Sequence, residues 1–120
     1  MIPPNKNQRP LSIVRGTTNA WGLSVTDEND APYTLESDQV LVFALKKNEN
    51  DEERVLVKKI TNSVNGEYYL ELAAADTSNL KPGIYYYDVS LQHGDHVLYN
   101  VIEASPFVIK PNITQLGDGA

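Results

Sequence analysis

The chain has 120 residues, 41% of them apolar, which fits one globular domain rather than two. It contains no cysteine, which excludes disulfides, thiolate nucleophiles and cysteine-based zinc sites and suits folding in a reducing compartment. Sixteen acidic and ten basic residues give a net charge of -6, which disfavours nucleic acid as a partner, and no segment approaches the roughly 20 apolar residues that span a bilayer. The composition therefore predicts a soluble domain that has neither nucleic acid nor a membrane as its partner.

Segments rich in β-forming residues recur roughly every ten residues from Leu11 onward, and turn-forming residues separate them. This spacing is typical of a β-sandwich rather than of alternating strands and helices. We therefore predict that residues 11–110 form an all-β, antiparallel sandwich of about seven or eight strands with one short helical turn. Residues 1–10, which include three prolines, are expected to be a flexible leader, and residues 111–120 a flexible tail.

The predicted strands, in chain order, cover residues 11–14, 20–26, 39–46, 54–61, 67–72, 83–92, 95–104 and 107–110. Residues 27–32 are predicted to form a loop, Asn65-Gly66 a tight hairpin turn, and residues 73–80 a helical connector of about one turn. Ser105-Pro106 is predicted to interrupt the chain between the last two strands, because proline removes a backbone hydrogen-bond donor. Residues 39–46 are almost continuously apolar, which predicts a central strand.

The alternation of apolar residues predicts which side chains face the core. The residues expected to point inward are Leu41, Phe43, Leu45, Tyr68, Leu70, Leu72, Tyr85, Tyr87, Val89 and Leu91. Val40, Val42 and Ala44 are expected on a partly covered outer face. Sandwich folds often use a tyrosine hydroxyl to fix the corner between their sheets, and here the spacing after Pro82-Gly83 leaves the choice among Tyr85, Tyr86 and Tyr87 open.

Signals for a metal or catalytic site are weak. His93, Asp95 and His96 carry metal-binding side chains, but their place in a predicted hairpin favours a solvated turn whose side chains point apart. Asp27 and Asp30 lack the glycine and the closing glutamate of a helical calcium loop, which favours a hydrophilic turn. The sequence contains no nucleophile elbow and no phosphate-binding glycine loop. We therefore assign no catalytic residue, metal or cofactor, and expect no enzyme activity.

An interface is predicted at apolar and aromatic residues of the outer strand faces, namely Val40, Val42, Tyr69, Tyr86 and Tyr99. Such side chains on an exposed sheet suit docking against a neighbouring protein. The tyrosines of the outer face, or the loop at residues 93–96, could instead bind a sugar or a peptide. A carbohydrate- or peptide-binding module is therefore the alternative to protein-protein docking.

Four segments carry a resemblance to a known family: SIVRGTT, DQVLVFALKK, ELAAADTSNLKPGIYYYDVSLQ and VIEASPFVIK. Over residues 11–110 the chain resembles the N-terminal immunoglobulin-like domain of phage baseplate upper proteins. The residues that match the family pattern are Arg15, Gly16, Asp76, Thr77, Leu80, Gly83, Tyr85, Tyr87 and Asp88. Thr17 stands where the family usually has aspartate.

The resemblance implies an immunoglobulin-like β-sandwich that is part of a phage or prophage virion. In that role the domain attaches a fibre, a receptor-binding protein or a decoration to the tail baseplate or the head shell by docking, without catalysis. The implied partners are other virion proteins and further copies of the chain in a homo-oligomer. The implied location is the virion, and the host cytoplasm during assembly. A host-encoded, adhesin-like sandwich is a further alternative.

Overall fold

The computed structural model of the chain describes residues 8–26, 29, 31, 33–60, 63–64, 67–94 and 96–114. These residues form β1 (Leu11–Val14), β2 (Asn19–Ser24), β3 (Gln39–Lys46), β4 (Leu56–Ile60), β5 (Ser63–Val64), β6 (Glu67–Leu72), α1 (Ala74–Thr77), β7 (Gly83–His93) and β8 (His96–Lys110). The large sheet has the strand order β1-β8-β7-β3-β4, and the small sheet has the order β2-β6-β5. An all-β fold with eight strands and one helical turn is therefore confirmed for the described part of the chain.

Most strands lie where the apolar alternation predicts them. β3 and β6 have the predicted bounds, whereas β2 ends at Ser24 rather than at residue 26 and β4 begins at Leu56 rather than at residue 54. β3 lies between β7 and β4, as expected for a strand with an almost continuously apolar sequence. All the residues predicted to face the core on β3, β6 and β7 are buried.

The prediction of a purely antiparallel sandwich is wrong at one edge of the large sheet. β1 runs parallel to β8, with Leu11 opposite Phe107 and Val14 opposite Lys110, so the large sheet is mixed. β1 is the first strand and β8 the last, and no short turn joins them. Their relative direction is therefore free of the hairpin constraint that makes neighbouring strands antiparallel.

The predicted interruption at Ser105-Pro106 is also wrong, because β8 runs without a break from His96 to Lys110. Pro106 pairs with Tyr86 of β7 and comes one residue before Phe107, where the pairing of β8 with β1 begins. The edge of β8 that faces β1 is therefore still unpaired with β1 at Pro106. A proline is tolerated beside such an open edge, since no partner strand there requires its missing N–H.

An aromatic cluster joins the two sheets. The ring centroids of Phe43 and Tyr87 are 5.5 Å apart, and those of Tyr87 and Phe107 are 5.7 Å apart, all within the large sheet. Trp21 of the small sheet meets the Phe107 ring edge-on at 5.8 Å. Pairs with this geometry add roughly 0.5–1.5 kcal/mol beyond the burial of their apolar area. The cluster therefore holds the small sheet over the inner face of the large one.

Arg9 attaches the segment before β1 to both sheets. Its backbone N–H donates to Ser105 Oγ at 2.9 Å, and its carbonyl oxygen accepts a hydrogen bond from the Tyr87 hydroxyl. Its guanidinium donates to the carbonyl oxygen of Gly22 at 2.7 Å. Ser105 and Tyr87 belong to the large sheet and Gly22 to the small one, so this single residue bridges the two layers.

Residues of two distant sequence motifs meet where β1 ends. Gly16 has a φ of 74°, a left-handed conformation that suits glycine. Its N–H donates at 2.9 Å to the hydroxyl of Thr77, a fully buried residue of α1. The Arg15 guanidinium donates to the carbonyl oxygen of Ser78 at 2.6 Å. The motif residues around positions 15 and 77 therefore act together as a structural joint between β1 and α1.

Tyr85 is the tyrosine that fixes the corner before β7. Its hydroxyl donates to the carbonyl oxygen of Lys81 at 2.8 Å, and its side chain is buried. The ammonium group of Lys47 lies 4.5 Å from the centre of the Tyr85 ring, a cation-π geometry. The expected bond back to the preceding connection is thus confirmed and assigned to one of the three candidates.

Several predicted features lie outside the described residues: Asn65 and Gly66, Asp27 and Asp30 with most of their loop, Asp95, residues 1–7 and residues 115–120. β5 and β6, which flank residues 65–66, pair antiparallel with Val64 opposite Glu67.

Candidate binding groove

A groove crosses the outer face of the large sheet. Its volume is about 530 Å³, which is within the range of pockets that hold small molecules. Its floor is formed by outward side chains of β3, β7 and β8, namely Val42, Ala44, Asp88, Ser90, Gln92 and Asn100. Their neighbours Phe43 and Val89 are fully buried on the other face. The alternation that builds the core therefore also places these mostly polar side chains in the groove.

Irregular pairing between β7 and β8 shapes one side of the groove. The ladder shifts register three times between Tyr87 and Gln92, and each shift places an extra residue in β8. Bulges of this kind bend a strand, increase its twist and are frequent beside functional sites. The shifts occur alongside Asp88 and Ser90, so the strand distortion coincides with the floor of the groove.

The loop between β3 and β4 forms a wall of the groove and contributes Glu49, Asn50, Glu52 and Arg54. A turn shapes this loop, because the N–H of Asp51 donates to the carbonyl oxygen of Asn48 at 3.1 Å. The Asp51 carboxylate in return accepts a hydrogen bond from the Asn48 N–H at 3.2 Å. The N–H of Val55 then donates to the carbonyl oxygen of Leu45 at 2.8 Å and returns the chain to the sheet. The wall is thus held by its own hydrogen bonds.

Asp88 is the acidic group on the groove floor, where it is half-buried and lies opposite Ala44. Within the described part of the chain, its carboxylate forms neither a hydrogen bond nor an ion pair. Burial raises the pKa of the Asp88 carboxyl above its ordinary value, and the positive charges of Lys46 and Arg54 partly offset this effect. The oxygens of Asp88 are therefore free to accept hydrogen bonds from a molecule in the groove.

Polar neutral side chains continue the floor beside Asp88. Ser90 is almost completely buried, and its hydroxyl oxygen accepts a hydrogen bond from the Gln92 amide at 3.1 Å. Asn100 lies opposite Ser90 on β8 and is half-buried. Each carboxamide offers both donors and an acceptor, so the floor can satisfy a ligand that also carries both.

Exposed apolar side chains lie at one end of the same sheet face. Ile84 of β7 is 56% exposed and sits opposite the half-buried Val108 of β8. Val14 is 39% exposed on β1, which pairs with the other edge of β8. Pro106 is exposed two residues before Val108. We call Val14, Ile84, Pro106 and Val108 the end patch. Exposed apolar side chains grouped on one sheet face mark a candidate site for contact with another protein.

The structure separates the five residues predicted to form an interface. Val40, Val42 and Tyr86 share the outer face of the large sheet, but Val42 is only 6% exposed because it lies in the floor of the groove. Tyr69 is on the small sheet opposite Gly22, between buried residues, and therefore faces away from the other three. The side chain of Tyr99 lies outside the described part of the structure. One continuous surface through all five residues is therefore not formed.

His93 and His96 are cross-strand partners at the end of the β7–β8 hairpin. Directly opposed residues share a face of the ladder, so the expectation that these side chains point apart is wrong. The His93 ring is hydrogen-bonded to the carboxylate of Asp38 at 2.5 Å, and both side chains are exposed. Among the described residues, no group of three or more histidine or carboxylate side chains is arranged to hold a metal.

Reasoning from the sequence missed the groove residues Lys46, Arg54, Asp88 and Asn100. A signal was present for Asp88, because it alternates with the buried Tyr87 and Val89 and must therefore point outward. The wall formed by residues 49–54 has no comparable local signal, since its position depends on how the loop folds over the sheet.

No known family model matches the chain, and comparison with curated proteins finds no significant match. Within the described part of the chain, no helix is long and apolar enough to cross a membrane.

Proposed function

We propose that the chain is a structural protein of a phage or prophage virion, at the tail baseplate or the head shell, that docks other virion proteins and further copies of itself. The observation that carries the docking role is the end patch, where Ile84 of β7 and Val14 of β1 expose apolar surface on either side of β8 in the large sheet. Exposed apolar surface of this kind gains free energy when a partner removes it from water.

The motif contacts support the assignment to a virion family. Arg15-Gly16 and Asp76-Thr77, which match the pattern of phage baseplate upper proteins, lie in one hydrogen-bonded joint through Gly16 and Thr77. The resemblance therefore includes residues from two distant segments that contact each other in this chain.

The strand order supports an immunoglobulin-like sandwich of the variable type. In that arrangement one sheet contains strands G, F, C and C′, and the opposite sheet contains B, E and D. The order β8-β7-β3-β4 fits the first set, and β2-β6-β5 fits the second. The corner bond made by Tyr85 is a further feature that such sandwiches use.

The self-association part of the proposal is tested by light scattering on size-exclusion fractions over a range of concentrations. Wild-type protein should form a discrete oligomer, and Ile84→Asp should be a folded monomer because a charge at a buried contact is costly. Val97→Asp is the matched control: Val97 is 57% exposed, as against 56% for Ile84. It pairs with Gln92, eight positions along β7 from Ile84 and therefore roughly 26 Å away. An oligomer that Ile84→Asp leaves intact would refute the end patch as the interface.

The virion part is tested separately by mass spectrometry of particles purified from the host that encodes the chain. The proposal predicts that the chain co-purifies with the particles at a fixed ratio to their other structural proteins. Particles that lack the chain would refute it, whatever its oligomeric state.

A further inference from the structure

The groove holds a half-buried carboxylate, that of Asp88, with no direct partner among the described residues, so a molecule in the groove can bond to its oxygens in place of water. Asp88 is half-buried, and the cations Lys46 and Arg54 act on it through their charge without forming a hydrogen bond or an ion pair. Burying a polar group without a hydrogen-bonding partner costs free energy. A half-buried carboxylate beside two cations in a concave surface marks a candidate binding site.

The charges of the groove favour a neutral ligand. Two basic residues, Lys46 and Arg54, face three acidic residues, Glu49, Glu52 and Asp88. An anionic ligand would meet the acidic groups and a cationic ligand would meet the basic ones, so neither sign is strongly attracted. A neutral polar molecule avoids both repulsions and can still hydrogen-bond to every one of these groups.

The position of the groove disfavours an extended peptide added as a strand. The floor is made by β3, β7 and β8, and β7 is paired with both of the others along the floor. The backbone groups of β7 are therefore engaged within the sheet, whereas strand addition requires an open edge. A ligand must therefore be recognised by the polar side chains of the floor, which are a carboxylate, two carboxamides and a hydroxyl.

These side chains are complementary to sugar hydroxyl groups. A carboxylate accepts hydrogen bonds from neighbouring hydroxyls, and the carboxamides of Gln92 and Asn100 both donate and accept. The Tyr86 ring and Ala44, both half-buried, add apolar surface to the same groove, suited to the C–H face of a sugar ring. We infer that the groove is a binding site for a neutral saccharide, with Asp88 as its central hydrogen-bond acceptor.

This inference does not rest on the proposed function, because the groove and the end patch are formed by different residues. Saccharide binding can fail while the chain still assembles, and assembly can fail while the groove still binds.

The test is a titration of isotope-labelled protein followed by amide chemical shifts. The probes are maltotriose, cellotriose and chitotriose, each taken to about 10 mM so that a Kd near 1 mM is measurable. At least one should shift the amides of Asp88, Ser90 and Asn100 in a saturable manner. An unstructured peptide rich in serine and asparagine, used at the same concentration, should leave these amides unchanged.

Two variants assign the binding to the groove. Asp88→Asn should weaken the bound trisaccharide about tenfold or more, because a charge-assisted hydrogen bond is replaced by a neutral one. Ala44→Leu should also weaken binding, since residue 44 lies directly opposite Asp88 and a larger side chain would cover the carboxylate. Glu103→Gln is the matched control, because Glu103 is a half-buried acid on the adjacent β8 that does not line the groove.

Three results would overturn the inference: no saturable shift with any of the three saccharides, an affinity that both groove variants leave unchanged, or saturable binding of the peptide with no saccharide bound. Dispersed amide spectra of the variants establish folding before affinities are compared. If Asp88→Asn fails to fold, Ala44→Leu decides the matter alone.

Discussion

Replacing Tyr87 tests both the aromatic core and the attachment of the segment before β1. The side chain is 2% exposed, and its ring centroid lies 5.5 Å from that of Phe43 and 5.7 Å from that of Phe107. Its hydroxyl donates to the backbone carbonyl oxygen of Arg9. Two substitutions separate the packing of the ring from this hydrogen bond.

Tyr87→Ala removes the ring from between two aromatic neighbours that belong to other strands and cannot close the space. The expected loss is about 3–5 kcal/mol of unfolding free energy, which is a large part of the roughly 5–15 kcal/mol available to a domain. Tyr87→Phe keeps the ring and removes one hydrogen bond, so its expected cost is about 1 kcal/mol. The difference between the variants measures the packing of the ring.

The assay is urea unfolding followed by the fluorescence of Trp21, which contacts the same cluster through Phe107. Amide hydrogen exchange at Arg9 provides a local readout, because this N–H donates to Ser105 Oγ beside the Tyr87 hydroxyl. Tyr87→Phe should accelerate exchange at Arg9. Tyr86→Phe is the control, since no described residue is hydrogen-bonded to the Tyr86 hydroxyl and neither readout should change.

A cost below about 1 kcal/mol for Tyr87→Ala would show that the ring is not packed in the core, against the expectation for a large buried side chain. Unchanged exchange at Arg9 in Tyr87→Phe would show instead that the hydroxyl does not hold this segment. Either result would require a different arrangement of β7 against the chain before β1.

Three further substitutions test the corner, the groove and the hairpin. Tyr85→Phe removes the bond to the Lys81 carbonyl and should cost about 1 kcal/mol, measured as a lower midpoint of urea unfolding. Burial raises the pKa of the Asp88 carboxyl, so the folded state binds this proton more tightly than the unfolded chain and stability falls as pH rises through the raised pKa. Asp88→Asn should therefore raise the melting temperature at about pH 7, and this gain should vanish below the ordinary aspartate pKa of about 3.9. A variant that is less stable than wild type at neutral pH would contradict the expected direction of the change in stability. Gly94 has a φ of 60°, and apart from its chain neighbours no described residue has an atom within 4 Å of an added Cβ, so Gly94→Ala should cost about 1 kcal/mol in thermal unfolding through backbone strain.

The predictable part of the fold is the part set by local alternation. Tyr68, Leu70 and Leu72 share one face of β6 because side chains of a strand alternate, and the one buried face selects this register. The same reasoning identified the inward residues of β7. It required no knowledge of which strands are neighbours.

The errors arose where a distant partner decides the outcome. The parallel direction of β1 depends on β8, which lies almost a full chain length away, and nothing within Leu11–Val14 encodes it. Pro106 was predicted to interrupt the strand because the sequence does not show that the pairing of β8 with β1 begins one residue later. Local rules describe what a residue does to its own strand, whereas these features depend on the strand beside it.

The candidate groove was predictable to a smaller extent. The outward position of Val42 follows from alternation, but its near-complete burial follows from the surrounding groove walls. The polarity of Asp88 and Ser90 on β7 indicated an outer face. That the loop at residues 49–54 encloses this face is a tertiary feature, so the sequence predicted the side chains without predicting the cavity.

The parallel pairing of β1 with β8 has a mechanical consequence. The chain enters this ladder at Leu11 and leaves it at Lys110, which are at opposite ends of the paired segment. Tension applied between the two chain ends therefore loads the β1–β8 hydrogen bonds along the strand direction, in shear. Bonds loaded this way must break together, whereas the antiparallel pairs of a hairpin pulled at its open end break one at a time. The edge that departs from the predicted antiparallel sandwich is thus the one that resists extension of the chain.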